Sequence, residues 1–154
     1  MKKKSIILYK KILEAVAEQS TCIRVKVAAI IVKNGRIIST GWNGVPSGQD
    51  HCEHIFNFHP ASESGDTKTF LNIHHEFATK NEIHAEQNVI SYAARNGIKT
   101  DGADILISIS PCVNCAKLIC AAGINRVFYV KEYDRDSSGI EFLNVNNIKC
   151  KELK

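Results

Sequence analysis

The chain is expected to fold as an α/β protein: a three-layer α/β/α sandwich with a mixed five-stranded sheet. Three observations predict this. Stretches with helical apolar spacing alternate with short β-branched runs along the second half of the chain. Strand–helix–strand order requires parallel pairing with right-handed crossovers, whereas Asn34-Gly35 between two apolar runs is a strong hairpin signal and adds an antiparallel pair. The 154 residues, 44% hydrophobic and 23% charged, suit one globular domain long enough to bury a core. Neither an internal repeat nor a domain boundary is apparent, so residues 1–154 are read as a single domain.

In chain order, Ile6, Ile7, Tyr9, Leu13, Val16 and Ala17 recur at helical spacing and predict an amphipathic helix over residues 5–19. Residues 25–32 and 36–40 read as the strands of the hairpin. Gly41 to Gly48 is a turn-rich exit. Residues 49–70 lack periodicity and read as a long loop, which in a compact domain is functional or stapled. A short helix is expected over 71–80 and a longer one over 83–96, closed by Gly97. Residues 103–109 form a buried strand, and 111–122 a helix stopped by Gly123. Pro111 suits the first turn of that helix, where a missing N–H costs nothing. A strand over 127–130, a helix over 137–144 and a last strand over 148–153 complete the order.

Two short windows carry the chemistry. His84-Ala85-Glu86 offers an imidazole and a carboxylate. Pro111-Cys112-Val113-Asn114-Cys115 offers two thiols at i and i+3, on one helix face. One imidazole and two thiolates leave a tetrahedral zinc with a fourth position for water, the arrangement of a catalytic rather than a structural site. Glu86 stands next to the metal without being required as a ligand, as a proton carrier must. Both half-motifs are expected at neighbouring helix N-termini, where partial positive charge favours thiolates. H-x-E followed by P-C-x-x-C is the signature of zinc nucleobase deaminases, in which the Glu is acid and base. A redox C-x-x-C has no use for His84 and Glu86.

Composition narrows the partners. Net charge is +4, and three of the cations form the Lys2-Lys3-Lys4 run at the N-terminus. With 7% aromatics, that is too little for a basic, stacking groove that tracks a nucleic acid strand. No apolar run approaches the ~20 residues of a membrane span, and no signal peptide is visible. Six Cys without a secretory signal suggest reduced thiols used on metal. A cytoplasmic protein, of a bacterium or a phage-infected host, is expected.

Residues Lys80 to Ile90 (KNEIHAEQNVI), Ser110 to Ile119 (SPCVNCAKLI), Gly123-Ile124 and Gly41 to Gly48 (GWNGVPSG) closely resemble the deoxycytidylate (dCMP) deaminases, particularly the bacteriophage type, within the cytidine-deaminase-like superfamily. The similarity runs from about Gln19 to Asp136. Val113 departs from a common second Pro and Trp42 from a usual Tyr. The resemblance implies zinc-dependent hydrolysis of dCMP to dUMP and ammonia, feeding thymidylate synthesis. It implies a homohexamer activated by dCTP and inhibited by dTTP, with Mg2+ accompanying the regulatory triphosphate. It carries His84, Cys112 and Cys115 over as zinc ligands and Glu86 as the acid/base. Asn43 becomes the contact to the sugar hydroxyl, the Ala85 N–H and the Ser110 carbonyl hold the cytosine edge, and Tyr133 walls the nucleotide pocket. Charge and position make Arg24 and Lys26 the phosphate candidates. Tyr92 and Arg95, on the outer face of the 83–96 helix, fall in a region placed at subunit contacts.

The resemblance also implies a second, structural zinc held by Cys22, Cys52, His74 and Glu82. Such a site would tie the first strand, the 49–70 loop and the entry to the 83–96 helix together, and a closed site of four ligands stabilises folding directly. Glu82 is an unusual structural ligand, and His75, His54 or His51 are alternatives to it or to His74. Cys120 and Cys150 read as core thiols.

Overall fold

The computed structural model describes residues 3–56, 67–134 and 136–154. Among these residues six helices and five strands follow one another: α1 (Lys3–Ala17), β1 (Ala28–Lys33), β2 (Arg36–Trp42), α2 (Cys52–Phe56), α3 (Thr67–Asn81), α4 (Ala85–Arg95), β3 (Asp104–Ile109), α5 (Val113–Ala121), β4 (Arg126–Lys131), α6 (Ser138–Val145) and β5 (Lys149–Glu152). The sheet order is β2-β1-β3-β4-β5. β1 runs antiparallel to both β2 and β3, while β3, β4 and β5 are mutually parallel. The expected mixed sheet of five strands is therefore present.

The hairpin turns through Asn34 (φ 52°) and Gly35 (φ 75°), the two positive φ angles of a type I′ turn, whose twist matches that of the strands. Its register is not uniform. Ile31 faces Ser39 but Val32 faces Ile37, so Ile38 is the extra residue of a bulge.

Period-two alternation divides the core. Ala29, Ile31, Ile105, Ile107 and Val127 face one side, where Val89 and Ile90 of α4, Ala116 and Ile119 of α5 and Leu143 of α6 cover them. Ala28, Ile30, Val32 and Leu106 face the other, under Tyr9 and Leu13 of α1. β1 is buried on both faces, which explains its unbroken apolar run. Tyr9 Oη donates to the Gly35 carbonyl at 3.3 Å and pins α1 to the hairpin. Cys120 and Cys150 pack half-buried against the first core, as core thiols should.

Several boundaries differ from the sequence expectation. Residues 25–27 precede β1 and are not part of it, and β2 runs on to Trp42. The 49–70 segment is not wholly a loop: it contains α2 and the start of α3. α2 is a single turn, too short to show periodicity. Helix α5 begins at Val113 with Cys112 as its N-cap, so Pro111 precedes the cap instead of occupying the first turn. Among the described residues no helix is long and apolar enough to cross a membrane.

Candidate active site

His84 is the N-cap of α4 (φ −69°, ψ 154°) and Cys112 the N-cap of α5 (φ −69°, ψ 166°). Extended backbone at each cap turns the side chain away from the helix it starts. The two caps meet. Cys115 Sγ lies 3.4 Å and Cys112 Sγ 3.8 Å from His84 Nδ1, and the three donor atoms lie within 4.8 Å of one another. A tetrahedral zinc with ordinary bond lengths sets sulfur and nitrogen about 3.5 Å apart, so the donor set fits that ion.

Two glycines permit the approach. A Cβ on Gly41 would stand 2.6 Å from Val89 N and 2.9 Å from the Ala85 carbonyl, so β2 can lie against the first turns of α4 only without one. A Cβ on Gly139 would stand 1.9 Å from the Pro111 carbonyl, so α6 can back the Cys112 segment only with glycine there. Gln87 Oε1 accepts the His84 N–H at 2.9 Å and holds the cap itself. Gln three residues after the cap is the reciprocal half of a capping box, a signal present in the sequence; the role of Gly139 has no such signal.

The electrostatics suit a cation. The Cys112 thiol is pulled down to about 4, first by its hydrogen bond with Cys115 and then by His84, against the effect of burial. Cys115 is pushed up by the same hydrogen bond and by burial. The pair thus favours one thiolate, the charge a divalent ion would be drawn to. His84 is raised, chiefly by its hydrogen bond to Cys112. Glu86, in the first turn of α4, is 4% exposed, and burial lifts its carboxyl to about 7. A carboxyl poised there gives and takes protons near neutral pH with little bias.

The other sequence-predicted residues take distinct places. Ala85 is fully buried at the first position of α4, where helix geometry leaves its N–H without an intrahelical partner. Ser110 follows the end of β3; its N–H donates to the Lys131 carbonyl at 2.9 Å and its Oγ accepts the Tyr133 N–H at 2.8 Å, drawing the Tyr133 segment toward the site. Asn43 is buried and bonded to Ser20, Val25 and Val27. Arg24 and Lys26 lie between Cys22 and β1, with Lys26 exposed. Arg24 is close enough to His74 to depress its basicity. Tyr92 and Arg95 are exposed toward the end of α4.

Cys22, Cys52, His74 and Glu82 come together as a second cluster, again within 4.8 Å. His74 Nε2 lies 3.7 Å from Cys22 Sγ and 3.2 Å from Cys52 Sγ. Phe56, Phe70, Ile73 and Phe77 pack around it. Burial holds His74 down to about 4 and pushes Cys52 up to about 12, so His74 is neutral, as a metal ligand must be. Glu82 Oε1 is buried with no hydrogen-bond partner among the described residues, a costly state for a carboxylate that a cation would relieve. The alternatives stay outside: His51 and His54 stack on each other at 5.4 Å beside Glu53, and His75 is exposed.

One imidazole and two sulfurs, reached from solvent on the His84 side and backed by a buried carboxyl, are the marks of a zinc-dependent hydrolase. Over residues 3–131 the sequence matches the model of the cytidine and deoxycytidylate deaminase zinc-binding region, and the chain belongs to that family. It is 36% identical to the deoxycytidylate deaminase of Enterobacteria phage T2 over 90% of each chain. With the deoxycytidylate deaminase of Enterobacteria phage T4 it shares 39% over 84% of each. The crystal structure of dCMP deaminase from cyanophage S-TIM5, in complex with dCMP and dUMP, superposes with a TM-score of 0.78 at 32% identity, covering 99% of this chain and 98% of that one.

Proposed function

We propose that this chain, as one domain, hydrolyses dCMP to dUMP and ammonia. The observation that carries the reading is Glu86, buried beside three gathered metal donors, in a chain similar over nearly its whole length to phage dCMP deaminases. His84, Cys112 and Cys115 are the residues that would hold zinc, which when bound supplies a water acidic enough to be deprotonated near pH 7. Glu86 takes that proton and passes it to the ring nitrogen of cytosine, then takes the remaining proton of the added hydroxyl and passes it to the departing amine. The C4–oxygen bond forms, the C4–nitrogen bond breaks, and ammonia leaves. The Ala85 N–H and Ser110 carbonyl hold the base edge, Asn43 meets the sugar hydroxyl, and Tyr133 walls the pocket. Arg24 and Lys26 are assigned to the phosphate.

An ammonia-release panel tests the substrate. With cytidine, deoxycytidine, dCMP and dCTP, dCMP is expected to have the highest kcat/KM by tenfold or more, since a desolvated phosphate contact contributes roughly 1.5–3 kcal/mol. Equal turnover of deoxycytidine would remove the phosphate from recognition, and ammonia from an oligonucleotide in place of dCMP would overturn the free-nucleotide reading.

The Cys22, Cys52, His74 and Glu82 cluster is assigned a second, structural zinc. The chain is further proposed to act as a homohexamer, activated by dCTP and inhibited by dTTP, each carried with Mg2+. Supporting assembly, β2 is an edge strand, and Trp42 and Tyr92 stay 37% and 48% exposed along a groove with Ile37 and Ile38. Edges of this kind are normally covered. Sedimentation is expected to give a hexamer that Arg95→Glu weakens. The dCMP dependence should be sigmoidal, made hyperbolic by dCTP and steeper by dTTP, because an effector acts only through its different affinities for two states. A monomer with hyperbolic kinetics blind to both nucleotides removes this part and leaves the zinc chemistry intact.

A further inference from the structure

Ser20 lies between α1 and Cys22 and is 2% exposed. Its hydroxyl donates to Asn43 Oδ1 at 2.8 Å and accepts the Cys22 N–H at 3.2 Å. Asn43 Oδ1 also accepts the Val27 N–H at 2.8 Å, while Asn43 Nδ2 donates to the Val25 carbonyl at 3.0 Å. A side-chain amide has two acceptor lone pairs and two donor hydrogens. Both lone pairs and one hydrogen are engaged by these three neighbours. One N–H is left.

The orientation of the amide is fixed by chemistry that cannot be reversed. Turning it over would set the amide nitrogen against the Val27 N–H and the oxygen against the Val25 carbonyl, which only donate and only accept respectively. A ligand therefore meets Asn43 as a hydrogen-bond acceptor. The Cys22 N–H occupies an oxygen lone pair of Ser20 and so helps direct the Ser20 proton toward Asn43. Cys22 is in turn part of the second donor cluster. Glu82 of the same cluster lies two residues before His84, and the intervening Ile83 exchanges backbone hydrogen bonds with Gly44 (2.8 and 3.1 Å), the neighbour of Asn43. The second cluster thus borders both the zinc ligand and the sugar contact.

We propose that Ser20 is a positioning residue for substrate: it locks Asn43 with a single N–H aimed at the deoxyribose hydroxyl, from an anchor on the second metal cluster. The inference rests on the dCMP reading above. The hydroxyl accepts from Asn43, and its own proton goes elsewhere. Loss of Ser20 frees a lone pair on Asn43 and lets the amide tilt, so the sugar contact weakens while Glu86 and the zinc donors keep their places.

Ser20→Ala is to be compared with wild type on dCMP and on 2′,3′-dideoxy-CMP, which lacks that hydroxyl. Expected is a rise in KM for dCMP of roughly tenfold, the scale of one hydrogen bond, with kcat within about threefold and KM for the dideoxy analogue unmoved. Binding of dUMP, measured by calorimetry without turnover, should weaken to the same degree. Ser20→Thr, which keeps the hydroxyl, should restore both; Ser20→Cys, a weaker donor of similar shape, serves if the Ala variant does not fold and should raise KM for dCMP alone. Equal losses on both substrates, or none on either, would overturn the positioning role and leave dCMP as substrate. A wild-type protein that neither turns over dCMP nor binds dUMP would remove the nucleotide reading, and this inference with it.

Discussion

Glu86→Gln is expected to leave a folded protein with its zinc and its affinity for dUMP intact, and to lower kcat by at least the 10²–10⁴-fold typical of lost acid–base catalysis, roughly. The amide matches the carboxyl in shape but cannot carry a proton. The carboxyl is the group that burial lifts to about 7, and among the described residues no carboxylate belongs to the donor set of His84, Cys112 and Cys115. Zinc by elemental analysis, dUMP binding by calorimetry and ammonia release on one preparation separate the three properties. Turnover within tenfold of wild type would show that another group moves the protons.

The second large effect belongs to Cys52→Ala. Elemental analysis of the wild-type protein should give about two zinc per chain, one in each tetrahedral site. The variant should keep about one. Cys52 is fully buried at the start of α2 and shares its cluster with residues from three other segments, so losing it unties all four and leaves Glu82 without a counter-charge. A loss of about 3 kcal/mol, the lower end for breaking a buried ionic group, lowers Tm by roughly 6–12 °C at the ~2–4 °C per kcal/mol expected for this chain length. Thermal unfolding with and without a chelator measures it. One zinc per wild-type chain, with Tm unmoved by the substitution, would remove the second metal.

The donor set of His84, Cys112 and Cys115 was legible because each half-motif is local. H-x-E and C-x-x-C each fit within one helical turn, and Gly97 and Gly123 mark where the two helices must end, at φ of 65° and 70°. The second cluster was legible only through family resemblance. Cys22 and Glu82 are 60 positions apart, and no periodicity relates them. The segment between them hid α2, a single turn, and the first turn of α3, whose polar residues lack a stripe. Pro111 misled by two positions: it precedes the extended cap at Cys112, so the helix begins at Val113.

By itself the sequence determined the fold class, the parallel half of the sheet, the hairpin, and which three donor side chains, with a carboxyl beside them, would be brought together. These follow from local terms: burial period, turn conformation at Asn34-Gly35, and the few residue types that ligate zinc. Only the tertiary structure decided what those groups are worth. It placed β1 between β2 and β3, so that one strand is buried on both faces. It buried the Glu86 carboxyl, which lifts it to about 7. It brought Gly139 against Pro111 and Ser20 against Asn43, contacts across 28 and 23 positions of chain. Desolvation, close approach and hydrogen-bond direction depend on which atoms surround a group, and that environment exists only once distant segments have packed.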